Sequence, residues 1–165
     1  MALSTITTAS SLGGSLITSG TQQTLSGTSV SFTGIPSWVK RITVSFTSAT
    51  VSGSSSFLIQ IGNGTAETSG YSSTTIYGGS ASGNGSSTSG FISQNGANTN
   101  VISGFITLVN QSGNIWTCNG SSSTGSTIQI FNVGTKTTSG TVNVLKFTTT
   151  NGTDTLGGSI NILYE

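Results

Sequence analysis

The sequence predicts an all-β protein: a two-sheet β-sandwich, jelly-roll-like, with about eight or nine strands and an extended N-terminal arm. Three observations predict it. Apolar residues recur with a period of two, as in Ile42, Val44 and Phe46 against Thr43, Ser45 and Thr47, which is the pattern of a half-buried strand. Ser, Thr, Asn and 24 glycines dominate the chain. These residues compete for backbone hydrogen bonds or, for Gly, cost about 1 kcal/mol per interior helical position relative to Ala, so helix is disfavoured. Short apolar runs also alternate with turn residues at regular spacing, five of them within residues 101–164, as in sandwich folds.

A chain of 165 residues is expected to form one domain with a core that needs no staples. Disorder is the rival reading of a Ser/Gly-rich chain, but disordered segments combine low hydrophobicity with high net charge. Here 32% of residues are hydrophobic and the net charge is +1.

The arm is assigned to residues 1–28, where apolar residues are sparse: Leu3, Ile6, Leu12, Leu16, Ile17 and Leu25. One or two short strands are expected in it. Ordering such an arm costs conformational entropy, so its apolar anchors either pack on a neighbouring subunit or leave the arm flexible. The sandwich domain is assigned to residues 29–165.

Strands are expected over residues 29–33, 39–49, 57–62 and 71–77. Pro36, the only proline, fixes φ near about −65° and cannot donate to a ladder, so it belongs in the turn before the second of these. Asn63-Gly64 and the run from Ser52 to Ser56 are turn chemistry. Residues 78–100 are the lowest-complexity part and are expected as a long exposed excursion, either a contact loop or a tolerated insertion. Further strands are expected over residues 101–109, 114–119, 127–133, 141–148 and 158–164. The first is apolar on both faces, as in a central strand. In Val142, Val144, Leu145 and Phe147 the apolar parity shifts, which predicts a bulge between Val144 and Leu145.

Composition excludes most chemistry. There is no histidine, so neither a Ser-His-acid nor a Cys-His arrangement nor a His-ligated metal is available. The acids are Glu67, Asp154 and Glu165, and a carboxylate pair for glycoside hydrolysis would need Glu67 and Asp154 to meet across the fold. Asn151-Gly-Thr-Asp154 reads as a tight turn rather than a calcium loop. No catalytic residue, cofactor or metal site is expected. With seven charged residues in 165, against roughly a quarter in an ordinary soluble domain, nothing marks the chain for nucleic acid or an anionic membrane. Near-zero net charge suits a subunit locked into an assembly. Cys118 has no internal disulfide partner and is expected as a small buried residue. The N-terminus carries no basic residue before an apolar core, so neither a secretion signal nor a membrane span is expected. Aromatic side chains beside hydroxyls and amides can stack on sugars, which makes Tyr71, Tyr77 and Phe91 candidate glycan or partner contacts, with Trp38 and Trp116 considered beside them. Burial in the core is the competing reading.

Phe32-Thr-Gly-Ile-Pro-Ser-Trp-Val-Lys-Arg-Ile-Thr-Val44, Leu58-Ile-Gln-Ile-Gly-Asn-Gly64 followed by Glu67-Thr-Ser-Gly-Tyr71, and Thr150-Asn-Gly-Thr-Asp-Thr-Leu-Gly-Gly-Ser-Ile-Asn-Ile-Leu-Tyr-Glu165 together resemble the β module of tailed-bacteriophage virion proteins, common at the C-terminal end of tail-fibre chains. The resemblance implies a non-enzymatic structural protein on the virion surface. About 28 residues precede the module in place of a long shaft, so the expected role is a capsid decoration or cement protein that bridges neighbouring subunits, as a homotrimer, with the arm residues Leu3, Ile6, Leu12, Leu16 and Ile17 as assembly contacts. The alternative is a tail-fibre or receptor-binding module that meets host surface glycans through residues 63–72 and 78–100. Expected partners are the major capsid protein or tail components, without nucleic acid or membrane insertion.

Overall fold

The computed structural model of the chain describes residues 17–93, 100–125 and 127–165. Among them are thirteen strands and no helix: β1 (Thr18–Ser19), β2 (Gln23–Thr24), β3 (Ser29–Thr33), β4 (Arg41–Val51), β5 (Phe57–Gly62), β6 (Tyr71–Gly79), β7 (Gly83–Ser87), β8 (Phe91–Ser93), β9 (Ile102–Ser112), β10 (Ile115–Thr124), β11 (Ile128–Thr137), β12 (Val144–Thr149) and β13 (Leu156–Tyr164). They form two antiparallel sheets, which make the predicted β-sandwich. The larger has nine strands in the order β1-β13-β4-β9-β10-β11-β6-β7, with β2 also on β13. The smaller runs β3-β12-β5-β8. Nine of the strands coincide with the strands expected in the sandwich domain, β1 and β2 are the one or two short strands expected within residues 1–28, and the two additional ones, β7 and β8, have five and three residues.

Alternation decides what each sheet buries. In β4, Ile42, Val44 and Phe46 point inward and are buried, while Arg41, Ser45 and Thr47 are exposed. Their partners from the smaller sheet are Phe57, Ile59 and Ile61 of β5 and Leu145 and Phe147 of β12, all buried. Phe46, Phe57 and Phe147 meet between the sheets with ring centroids 5.1–6.5 Å apart, within the range of favourable aromatic pairs.

Three expectations are corrected. Residues 17–28 are not outside the sandwich: β1 and β2 pair with β13 and Leu25 is buried in the core. A strand edge with unpaired backbone groups needs partners, and these two short strands supply them to the end of β13. Leu3, Ile6, Leu12 and Leu16 lie outside the described residues, and Ile17 is exposed. The excursion expected over residues 78–100 is largely built into the sheets. β7 folds back on β6, and β8 pairs with β5 with Phe91, Ile92 and Ser93 all buried. Six of the residues, 94–99, lie outside the described part. The bulge expected between Val144 and Leu145 is absent, because β12 keeps continuous register with both β3 and β5. The apolar parity shifts because Val142 precedes the strand and Val144 opens it on the face it shares with Lys146 and Thr148, opposite the inward Leu145 and Phe147.

The irregularity of β4 is set by backbone geometry. Register shifts at Phe46/Ala49 against β9 and, in the pairing of β13 with β4, at Gly157/Ser159, where Ser48 has φ 53° and Gly158 has φ 101°. A Cβ at Gly158 would overlap the Ser48 carbonyl oxygen, so this position requires glycine.

The loop before β4 follows the expected turn, with the Val39 amide donating to the Pro36 carbonyl at 3.1 Å. Trp38 extends outward and lies 6.0 Å, centroid to centroid, from Tyr164.

Candidate docking surface

The outward-facing residues of the nine-stranded sheet fall into cross-strand rows. One row runs Asn161, Ser45, Phe105, Ser121, Phe131, Ile76, Asn84 across β13, β4, β9, β10, β11, β6 and β7. The neighbouring row runs Leu163, Thr43, Thr107, Asn119, Val133, Thr74, Ser86. Phe105, Phe131, Ile76 and Val133 are 50%, 48%, 55% and 59% exposed. Val101, Val109, Ile115 and Leu163 share this face by strand parity and are also exposed. Scattered exposed apolar residues are ordinary on a protein surface, but a contiguous cluster is not. Among the described residues ten large apolar side chains are exposed, and with only Ile17 and Trp38 left out of the eight just named, the clustering is not scatter.

The same face is almost without charge. Lys40 and Arg41 sit at its border, Lys40 reaching Asn110 Oδ1 at 3.5 Å and Arg41 ion-paired with Glu165. Lys136 points inward and is 5% exposed at its side chain, and Glu67 and Asp154 are in loops outside the strands. The rest of the surface is Ser, Thr and Asn hydroxyls and amides between apolar side chains. Such a face can offer apolar area and short-range hydrogen bonds, and it offers nothing to steer a charged ligand.

Glycines allow these strands to lie close. A Cβ at Gly104 or Gly120 would overlap β10 or β9 neighbours, including Ser122 and Ile106. At Gly134 it would approach Phe91 and the Ser72 carbonyl at 2.9 Å. The inner side of the middle strands thus mixes these glycines with the buried Ile106, Leu108, Trp116 and Ile130, and the outer side carries apolar residues as well.

The candidate contacts Tyr71 and Phe91 are corrected: both are buried, at 3% and 0% exposure. Their rings pack edge to face with centroids 5.1 Å apart. The Tyr71 hydroxyl accepts from the Ile61 amide at 2.8 Å and shares its proton between the carbonyls of Ile61 and Glu67, each at 3.1 Å. Burial raises the Tyr71 phenol well above its ordinary range. Tyr77 is partly buried against the core. Trp116 is buried and Trp38 is exposed. The rings that do face solvent in strands, Phe105 and Phe131, were not among the expected contacts. The signal for Phe105 was that residues 101–109 are apolar on both faces; that pattern predicts burial on both sides, and only one side of β9 is covered.

The acids are far apart in the fold. Asp154 takes hydrogen bonds from the Ser55 hydroxyl at 2.5 Å and amide at 3.2 Å, just before β5. Glu67 follows the other end of β5, which at six residues is about 20 Å long. Hydrogen bonds, first from the Ser55 hydroxyl and next with Asn151, hold the Asp154 carboxyl below its usual range. The expected tight turn is present: Asn151 Oδ1 accepts from the amides of Thr153 and Asp154, each at 3.0 Å, and Gly152 has φ 68°. No cluster of three or more His, Cys, Asp or Glu side chains exists among the described residues. Cys118 is buried, and burial pushes its thiol up to about 12.

In comparisons with known proteins, no family model, no curated protein and no solved structure matches the chain.

Proposed function

We propose that the chain is a non-enzymatic structural protein of a tailed-phage virion, a surface decoration or cement subunit that is built into the particle through the outer face of its nine-stranded sheet. The observation that carries this reading is the uncharged face presenting Phe105, Phe131, Ile76 and Val133 between rows of hydroxyls and amides. Exposed apolar surface of this kind is favourable only when another surface covers it. The sequence resemblance supplies the virion setting, and the chain's lack of histidine and its separated acids agree with a role without catalysis. The partners are neighbouring virion proteins.

A tail-fibre or receptor-binding role is the second reading. It is favoured by Phe105 and Phe131 flanking Ser121 in one row, two strands or about 10 Å apart, a spacing on which a flat glycan can stack. The test is to heat particles with and without the protein. Loss of the protein lowers the temperature at which particles release their contents if it cements them. Unchanged heat resistance, combined with binding of the isolated protein on a glycan array, favours the receptor-binding role instead.

A further inference from the structure

The seven charged residues leave the outer face of the large sheet uncharged apart from Lys40 and Arg41 at its border, of which Arg41 is paired with Glu165. A partner chosen by charge has nothing to engage there, so the complementary surface is itself uncharged, apolar and hydroxyl-bearing. This chain carries one such surface. Its size is also sufficient: β4, β9, β10, β11 and β6 have nine to eleven residues each, so five strands present a face of about 800 Å². A stable interface of standard size takes about 800 Å² from each partner.

The relief of the face is self-complementary. In the row Ser45, Phe105, Ser121, Phe131, Ile76, small and large side chains alternate from strand to strand before ending on two large ones. A twofold axis in the plane of the interface, between β10 and β11, would place Phe131 over Ser121 of a second copy and Phe105 over Ile76 of that copy, with both contacts repeated by symmetry. Knobs then meet holes and apolar ends meet each other, the interdigitation by which two β-sheets pack about 10 Å apart.

We propose that the subunit covering this face is a second copy of the chain, paired sheet to sheet about a twofold axis. This rests on the reading of the face as an assembly surface and replaces the threefold assembly expected from the resemblance with a twofold one. The test is mass by sedimentation equilibrium on the full chain up to about 100 μM, together with the variants Phe131→Ser and Val133→Lys. The wild type is expected at twice the 16.5 kDa chain mass. Phe131→Ser is expected to weaken the pair at least tenfold, and Val133→Lys to give the single-chain mass, with unchanged far-ultraviolet circular dichroism spectra showing that both variants fold, and with melting temperatures lowered only by the loss of pairing. A single-chain or threefold mass for the wild type overturns the proposal, as does a twofold mass kept by both variants. The two readings fail differently. A monomeric wild type whose Val133→Lys variant no longer enters particles refutes pairing and leaves the assembly face standing. A Val133→Lys variant that enters particles like the wild type refutes the assembly face itself.

Discussion

Lys136 Nζ lies 2.6 Å from Glu67 Oε2 and donates to the Ser69 carbonyl at 2.9 Å, so a lysine on β11 ties down the loop that leaves β5. The other carboxylate oxygen of Glu67 accepts from the amide and hydroxyl of Ser139 at 2.7 and 2.8 Å. Partial burial raises the Glu67 carboxyl. The hydrogen bonds from Lys136 and Ser139 and the lysine charge more than offset it, so the group is held below the usual glutamate range. A depressed folded-state value contributes stability above the unfolded-state value that is lost as pH falls through the folded-state one. The melting temperature should therefore fall as pH drops from about 5 towards 3, and less steeply in Glu67→Gln. Equal acid sensitivity in both proteins would show that this pair does not govern it.

Lys136→Met removes the cation and leaves Glu67, whose side chain is 21% exposed, without its strongest partner. Breaking a buried pair costs about 3–5 kcal/mol, and the partial exposure of Glu67 puts the expected loss near the low end, about 3 kcal/mol. Lys40→Met alters an exposed lysine whose side chain has one described hydrogen bond, to Asn110 Oδ1 at the 3.5 Å limit, and whose backbone bonds are kept, and is expected to change stability by less than about 0.5 kcal/mol. Urea denaturation of the two variants measures both.

Tyr71→Phe leaves the buried Ile61 amide without its acceptor, at an expected cost of about 1–3 kcal/mol. Ultraviolet titration supplies an independent readout. Because burial raises its phenol, Tyr71 should stay un-ionised in the folded protein, and its absorbance change should appear only on alkaline unfolding.

Cys118 should be silent to a thiol reagent in the folded protein and fully reactive in urea, because the thiolate is the nucleophile and burial keeps the thiol protonated. Rapid native labelling would contradict the burial of β10.

The sequence made most of the sandwich legible and little of the surface. Alternation in residues 41–46 and 57–62 located two of the core strands because each has one face against the other sheet. The turn at Asn151 was readable because its side chain bonds its own backbone. β7 and β8 were missed because their short runs sit in Gly/Ser-rich sequence and are fixed by tertiary pairing with β6 and β5. Tyr71 and Phe91 were candidate contacts by residue type alone, and which side of a strand faces the second sheet is decided by long-range register. The same ambiguity hid Phe105: with Ile106 inward and Phe105 outward, apolar runs on both faces look like a buried strand until the uncovered side of the sheet is seen.

If the outer face of the nine-stranded sheet builds the chain into a particle, a charge placed in it blocks incorporation. Wild type, Val133→Lys and a control, Lys146→Gln on the smaller sheet, are supplied to particles lacking the protein, and the copies retained after purification are measured. Val133 is exposed, so the lysine should leave folding intact while placing a charge in an apolar contact. Wild type and Lys146→Gln should be retained at equal copy number and Val133→Lys at least tenfold less. Retention of Val133→Lys at the wild-type level would mean that this face does not hold the chain in the particle.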